Sequence, residues 1–157
     1  MSKQLYGTCC LLVEIAAFTS WTASGVGCKR TLRAFSQNGL RAEGYAAGEL
    51  KHGPIALIDE TMPVIVIAPC DRVFDKTVSN MQEVAARGGR LILVTDAEGA
   101  SAAADQPLGT LTLPTVPATV APLVYAVPVQ LIAYHTAVIM GTDVDQPRNL
   151  AKSVTVE

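Results

Sequence analysis

The chain has 157 residues, of which 50% are hydrophobic and 17% are charged, and its formal net charge is −2. This length fits one domain with a substantial core, and the apolar content excludes global disorder. No basic run and neither a GxGxxG nor a Walker A motif occurs, so the sequence gives no sign of nucleic-acid binding or of a nucleotide fingerprint.

The cysteines and histidines show no metal-binding spacing. No CxxC pair occurs, and the two histidines fit no zinc pattern. We interpret the cysteines as reduced thiols of a cytosolic protein rather than as a disulfide framework, and we predict neither a metal nor a cofactor. The residues concerned are Cys9, Cys10, Cys28, Cys70, His52 and His135.

The start of the chain contains an apolar run, "LYGTCCLLVEIAAF", behind Lys3. A signal peptide is one interpretation, but Glu14 interrupts the run and the positive region is a single lysine. The run is also too short and too charged to span a membrane, which needs about 20 apolar residues. We therefore expect a buried or disordered start and no membrane association.

From about residue 42 the secondary structure becomes easier to predict. "EGYAAGELKHGPIALID" begins with residues that favour a helix, which breaks at Gly53-Pro54. The β-branched run over residues 63–69 predicts a strand buried on both faces. Apolar residues spaced three and four apart predict an amphipathic helix over residues 71–87, which Gly88 ends.

The second half of the chain continues the alternation. Residues 90–96 predict another buried strand, small and polar residues follow, and residues 110–114 predict a short third strand. Residues 121–140 predict a long apolar helix that Gly141 ends. The order indicates an α/β fold with a parallel sheet flanked by helices, in which ligands bind outside the carboxyl ends of the strands.

Those carboxyl ends and the surrounding loops carry polar groups. Thr95 and Asp96 end one strand, and Cys70 and Asp71 follow another. We interpret Cys70 as structural, because no histidine lies near it in the sequence. His135, in the middle of a predicted packed helix, is interpreted as a core residue rather than as a catalyst.

Two segments contain candidates for catalysis. In "GELKHGP", His52 lies beside a turn with Glu49 and Lys51 and could transfer protons; the alternative is an ordinary surface histidine. In the polar tail, Lys152 could form a Schiff base with a sugar carbonyl if burial or a nearby cation keeps its amine neutral. The alternative is a solvated tail lysine.

The same tail contains two carboxylates, Asp143 and Asp145. Two acidic residues two positions apart are weak evidence for a metal site. We expect these side chains instead to form hydrogen bonds that hold the tail in place.

Two long stretches resemble one enzyme family. "AEGYAAGELKHGPIALID", residues 42–59, and "GTDVDQPRNLAKSVTVE", residues 141–157, are similar to the C-terminal half of the isomerase region of the glutamine–fructose-6-phosphate aminotransferases. The resemblance covers residues 42–157. It implies a sugar isomerase (SIS) domain, a flavodoxin-like α/β fold with a parallel sheet, plus an irregular C-terminal tail.

The resemblance also implies an activity. Enzymes of this family contain a glutaminase domain and two SIS subdomains, and they make glucosamine 6-phosphate from fructose 6-phosphate and glutamine. His52 then matches the histidine that opens the sugar ring across a dimer interface, and Lys152 matches the Schiff-base lysine. Ala151 matches a residue whose backbone lines the sugar site. The implied partners are fructose 6-phosphate and a second copy of the chain, in the cytoplasm.

Residues 1–41 depart from the family pattern. The family's proton-shuttle glutamate is expected near Ser36, but no acidic residue occurs between Glu14 and Glu43. We expect residues 1–41 to be disordered or to result from a truncation or a reading-frame slip. Two hypotheses follow: a C-terminal fragment of the enzyme that is incomplete for catalysis alone, or a non-catalytic phosphosugar-binding module with a regulatory or oligomerising role.

Overall fold

The computed structural model describes residues 10–15, 41–103 and 107–144. Five strands form one sheet in the order β2-β1-β3-β4-β5, and every neighbouring pair is parallel. This order is the flavodoxin-like one, so the predicted fold class is confirmed. The strands are β1 (Cys10–Ile15), β2 (Arg41–Ala46), β3 (Pro63–Ile67), β4 (Arg90–Asp96) and β5 (Gly109–Leu113).

In the described residues, helices follow β2, β3, β4 and β5 and cover both faces of the sheet. Two short 3-10 helices, Ala47–His52 and Pro54–Leu57, follow β2. The α-helices are α1 (Phe74–Ala86), α2 (Ala97–Ala102) and α3 (Ala121–Met140).

The alternating side chains of β3 form two separate cores. Val64 and Val66 belong to a cluster with residues of α1 such as Met81. Ile65 and Ile67 belong to a second cluster with residues of α3. These four side chains are all buried, which explains why the strand is a continuous apolar run and does not alternate with polar residues.

The predicted helix ends agree with the structure. Gly88 follows α1 with φ 85°, and Gly141 follows α3 with φ 69° in the left-handed region. A residue with a Cβ rarely adopts these dihedral angles, so glycine is favoured at both positions.

The prediction of a helical start at "EGYAAGELKHGP" is wrong for its first residues. Arg41–Ala46 is the parallel edge strand β2, paired along its whole length with β1. Helix propensity is a weak prior, and the backbone hydrogen bonds of a sheet override it here. Ala47–His52 is helical, but in the tighter 3-10 form.

Two further segments differ from expectation. Cys10–Ile15, in the start that was expected to be buried or disordered, is the strand β1 between β2 and β3. The small residues after β4 form the short helix α2, which begins where the Asp96 side chain accepts a hydrogen bond from the Gly99 amide. An aspartate followed by a helix-compatible stretch is an N-cap signal that the composition of this segment obscures.

Candidate functional site

The carboxyl edge of the sheet is organised around Asp96. This residue is 5% exposed, and its carboxylate accepts hydrogen bonds from the Cys70 amide at 3.0 Å and the Gly99 amide at 2.9 Å. The neighbouring Thr95 hydroxyl donates to the Ala68 carbonyl at 2.5 Å. Both oxygens of Asp96 are thus bonded to backbone amides, so this carboxylate holds together the loop after β3 and the first turn of α2.

Gly99 lies against this cluster at very close range. A Cβ on Gly99 would overlap the Thr95 hydroxyl and would lie 2.9 Å from Cε2 of Phe74. The first turn of α2 therefore packs directly on the end of β4. The missing side chain at residue 99 allows the loop after β4 to turn inward.

Cys70 is a structural residue in this arrangement. Its side chain packs against the α1-side core, and burial, followed by the nearby carboxylates of Glu98 and Asp96, raises the pKa of its thiol. A raised pKa keeps the thiol protonated, whereas a nucleophilic cysteine needs its thiolate. These contacts support the structural interpretation.

His52 is exposed at the end of the first 3-10 helix. Asn80 of α1 donates to the Ala47 carbonyl at 2.9 Å, and the Lys51 ammonium lies 2.6 Å from the Glu83 carboxylate. The 3-10 helix therefore runs alongside α1, away from the carboxyl edge, over about 10 Å at about 2 Å per residue.

His52 is thereby separated from the Asp96 cluster. It precedes Gly53, whose φ of 143° a residue with a side chain rarely adopts. The imidazole thus lies at a sharp turn and faces solvent, as a proton donor that acts on an external sugar requires. Glu49 of the same segment is also exposed.

A cavity of about 430 Å³ lies between the first 3-10 helix and α1. Ala47 and Gly48 form one wall and Thr77 and Asn80 form the other, and the lysines Lys51 and Lys76 also line it. His52 is not among its lining residues.

The prediction for His135 is wrong. Its ring is exposed and meets Tyr134 edge-on, with ring centroids 5.3 Å apart and an interplanar angle of 81°. His135 points outward because α3 packs on the sheet through a different set of residues, spaced four apart.

The tail candidates lie beyond the described part of the chain. Ala151, Lys152 and Asp145 all fall outside the described residues. Asp143 is described and exposed, and residues 142–144 form no regular element. Within the described residues, no group of three histidine, cysteine or acidic side chains could hold a metal ion. The meeting of His52 with Lys152 stays a prediction.

The family model of the SIS domain matches residues 23–140. The chain belongs to the SIS domain family. The model begins before residue 42 and includes part of the segment that was predicted to lie outside the family. The boundary between residues 41 and 42 stays a prediction, as does the origin of residues 1–41.

Curated relatives of this SIS domain carry the enzyme name that the sequence indicated. The chain is 75% identical over 118 residues to the glutamine–fructose-6-phosphate aminotransferase (isomerizing) of Brucella abortus biovar 1 (strain 9-941), and 77% identical over 118 residues to that of Bradyrhizobium diazoefficiens. Each match covers 75% of this chain and 19% of the relative. The chain thus spans about a fifth of the length of these relatives.

A solved structure agrees with these relatives. The C-terminal domain of glucosamine-fructose-6-phosphate aminotransferase from Francisella tularensis has a TM-score of 0.70 and 37% sequence identity. The match covers 86% of this chain and 37% of that one. The predicted resemblance to this family is therefore confirmed.

Reasoning from the sequence missed the role of Asp96 as a hydrogen-bond acceptor between two loops. It also missed the buried bond from Asn80 to the 3-10 helix that carries His52. The spacing from Asp96 to Gly99 is an N-cap signal that could have revealed the first of these. No local signal reveals the second, since the two partners are 33 residues apart.

Proposed function

We propose that this SIS domain works as the C-terminal isomerase subdomain of a cytoplasmic glutamine–fructose-6-phosphate aminotransferase. Its substrate is then fructose 6-phosphate, which the enzyme converts to glucosamine 6-phosphate. The observation that carries the proposal is the 75% identity over 118 residues with an enzyme of that name. The parallel sheet with a hydrogen-bonded carboxyl edge supplies the kind of scaffold that such a site requires.

His52 is proposed as the group that opens the sugar ring. Ring opening transfers a proton from the anomeric hydroxyl to the ring oxygen, which needs a group that can both accept and donate a proton. His52 is exposed, and its segment is fixed to α1 by the bonds of Asn80 and Lys51. Because the segment leads away from its own carboxyl edge, we propose that His52 acts on a sugar bound by a second copy in a homodimer.

Lys152 and Ala151 are proposed to complete the sugar site from the tail. The neutral amine of Lys152 attacks the C2 carbonyl of the open sugar, and loss of water gives an imine. The backbone of Ala151 then lines the site beside it. Gly141 ends α3 in the left-handed conformation, and the tail follows it in the sequence.

The second candidate function is a non-catalytic phosphosugar-binding module. One observation favours it: no acidic residue lies between Glu14 and Glu43, although the resemblance places the proton-shuttle glutamate near Ser36. A domain that lacks this acid could still bind the sugar, but it could not move the proton between the two sugar carbons by the family's route.

A chimera tests whether residues 42–157 carry working catalytic groups, because the relative then supplies the proton-shuttle glutamate that the resemblance implies. Residues 42–157 replace the matching part of the Brucella abortus relative, and the product is assayed with fructose 6-phosphate and glutamine. We expect the chimera to make glucosamine 6-phosphate, and we expect His52→Ala and Lys152→Ala to remove most of this activity. Lys76→Ala, which changes an exposed lysine on α1, is the matched control and should leave the activity unchanged. A folded but inactive chimera would favour the non-catalytic module.

The chain alone gives a second measurement. Borohydride with fructose 6-phosphate should trap an adduct at Lys152 in the chimera and not in the 157-residue chain, which matches one of the two SIS subdomains that the resemblance implies. Glutamine and fructose 6-phosphate should give no product with the chain alone. A stoichiometric adduct at Lys152 in the chain alone would contradict this expectation.

A further inference from the structure

Helix α1 contains a buried asparagine, Asn80, that packs against the segment ending in His52. Only 7% of Asn80 is exposed, and its side-chain amide donates to the Ala47 carbonyl at 2.9 Å. The buried Thr77, one turn earlier, instead donates to the Val73 carbonyl of its own helix. Asparagine is a poorer helix former than leucine, and burying its amide costs free energy unless the amide is hydrogen-bonded. The contact with another element, and not the local structure of α1, therefore explains this residue.

The acceptor of this bond lies at the start of the 3-10 helix that His52 ends. Of the six residues Ala47–His52, only Ala47 and Leu50 are buried. A short 3-10 helix also has poorer internal hydrogen bonds than an α-helix. The position of this helix therefore depends on its contacts with neighbouring elements.

Close packing does not hold the 3-10 helix against α1 along its whole length. The cavity of about 430 Å³ lies between the two, and Asn80 lines it together with Ala47, Gly48 and Lys51. A Cβ at Gly48 would have nothing within 4 Å. The hydrogen bond of Asn80 is thus a fixed contact between two elements that otherwise have room to shift.

A small movement at Ala47 becomes a larger one at His52. At about 2 Å per residue, the imidazole lies about 10 Å along the 3-10 helix from Ala47, so a tilt of about 6° displaces it by about 1 Å. A misplacement of about 1 Å can slow a reaction by about 10²-fold. Proton transfer by His52 is therefore sensitive to how firmly the start of its segment is held.

A second contact, between Lys51 and Glu83, lies nearer to His52 but constrains it less. The Lys51 ammonium is 2.6 Å from the Glu83 carboxylate, and the two side chains are 48% and 39% exposed. Exposed ion pairs contribute little and are screened by salt. The buried bond of Asn80 is therefore the stronger constraint on the segment.

We propose that Asn80 is a positioning residue for the proton transfer of His52. Asn80 acts through the Ala47 carbonyl and holds the 3-10 helix in the orientation that His52 needs. This inference rests on the proposed function, which assigns the opening of the sugar ring to His52. It adds to that function a residue on a different helix, which contributes without touching the sugar.

An open-chain sugar separates this role from a general structural one. Ring opening breaks the bond between C2 and the ring oxygen, which comes from the C5 hydroxyl. The analogue 5-deoxyfructose 6-phosphate lacks that hydroxyl, so it cannot close the ring and needs no ring opening. Loss of the Asn80 contact should therefore slow the reaction of fructose 6-phosphate and leave the reaction of the analogue almost unchanged.

The first test measures kcat of the chimera with each sugar, from the amino-sugar phosphate formed, by mass spectrometry. We expect Asn80→Leu to lower kcat with fructose 6-phosphate by about tenfold or more, and kcat with the 5-deoxy analogue by less than about twofold. Ser79→Ala, which changes the neighbouring residue on α1, is the matched control and should change neither value. Equal losses with both sugars indicate a general structural defect and overturn the proposal.

A double-substitution cycle tests whether Asn80 acts through His52. In a chimera that carries His52→Ala, adding Asn80→Leu should cause no further loss with fructose 6-phosphate, because no imidazole remains to be positioned. A further loss of about tenfold in the double variant shows that Asn80 acts by another route, and overturns the proposal.

Hydrogen exchange of the full chain measures the contact independently of the chemistry. Asn80→Leu should speed amide exchange over residues 47–53 and leave β3 and β4 unchanged, whereas Ser79→Ala should alter neither. If Asn80→Leu does not fold, Asn80→Asp removes the donor at almost the same size, because an ionised carboxylate only accepts hydrogen bonds. Unchanged exchange over residues 47–53 overturns the proposal.

These outcomes separate the inference from the proposed function. An inactive chimera, or an active one that His52→Ala leaves unchanged, overturns the proposed role of His52 and this inference with it. A chimera that responds to His52→Ala but not to Asn80→Leu overturns this inference alone.

Discussion

Replacing Gly99 with alanine sets two local effects against each other. Alanine is favoured over glycine in a helix by about 0.5–1 kcal/mol, which alone would stabilise α2. The new Cβ, however, would overlap the Thr95 hydroxyl and lie 2.9 Å from the Phe74 ring. Both neighbours are buried, at 0% and 4% exposure, so neither can move out into solvent.

The steric effect should dominate. Overpacking a well-filled core costs about 1–3 kcal/mol. Moving the Thr95 hydroxyl would also break its bond to the Ala68 carbonyl and leave a buried acceptor unpaired, which costs about 1–3 kcal/mol. After subtracting the gain in helix propensity, we expect Gly99→Ala to lower the free energy of unfolding by about 1–5 kcal/mol.

Urea unfolding followed by circular dichroism measures this change. Gly48→Ala is the matched control, because nothing lies within 4 Å of a Cβ at that position, and its free energy of unfolding should change by less than about 0.5 kcal/mol. Combining Gly99→Ala with Thr95→Ala removes the overlapping oxygen, so the two changes should be non-additive by about 0.5–3 kcal/mol. A Gly99→Ala variant as stable as the unsubstituted chain would refute this reasoning.

Three further predictions concern buried polar groups. Burial raises the pKa of Tyr125 to about 12. Because the unfolded phenol loses its proton near pH 10, stability should be unaffected below pH 10 and should fall by about 2–3 kcal/mol up to pH 12; in Tyr125→Phe this fall should be absent. Because the pKa of Cys70 is raised, we expect iodoacetamide at pH 8 to alkylate it more slowly in the folded chain than in urea. Peptide mass spectrometry measures both rates, and equal rates would contradict this prediction. Asn80→Ala leaves the Ala47 carbonyl without its buried donor and should cost about 1–3 kcal/mol in urea unfolding, whereas the exposed neighbour Ser79, changed to alanine, should cost less than about 0.5 kcal/mol.

The central elements could be predicted from the sequence because each carries its own signal. β3 and β4 are continuous β-branched or aliphatic runs, and Gly88 and Gly141 mark the ends of the helices they follow. β1 and β2 could not be predicted in this way. Their residues have no strand periodicity, and their strand form comes from pairing with each other over a long separation in the chain.

The candidate site was predictable in its residue types but not in its connections. The Gly-Pro turn after His52 predicts an exposed loop, and the structure shows the exposure. The support from Asn80 and Glu83 depends on where α1 packs, which no local pattern specifies. In α3, an all-apolar sequence predicts burial on every side, so exposed residues such as Leu131 could be recognised only after the sheet was seen to cover one face.

The position of β1 in the sheet makes the proposed sugar-ring chemistry depend on residues that lie far from His52 in the sequence. Within the described residues, β2 pairs with β1 and with no other strand, and the segment that ends in His52 begins directly after β2. The six residues of β1 thus fix the position of β2, and with it the start of the segment that ends in His52. Substitutions in β1 of the full chain should therefore speed amide hydrogen exchange in the segment that ends in His52 before they unfold β3 and β4, whose pairing with each other does not involve β1.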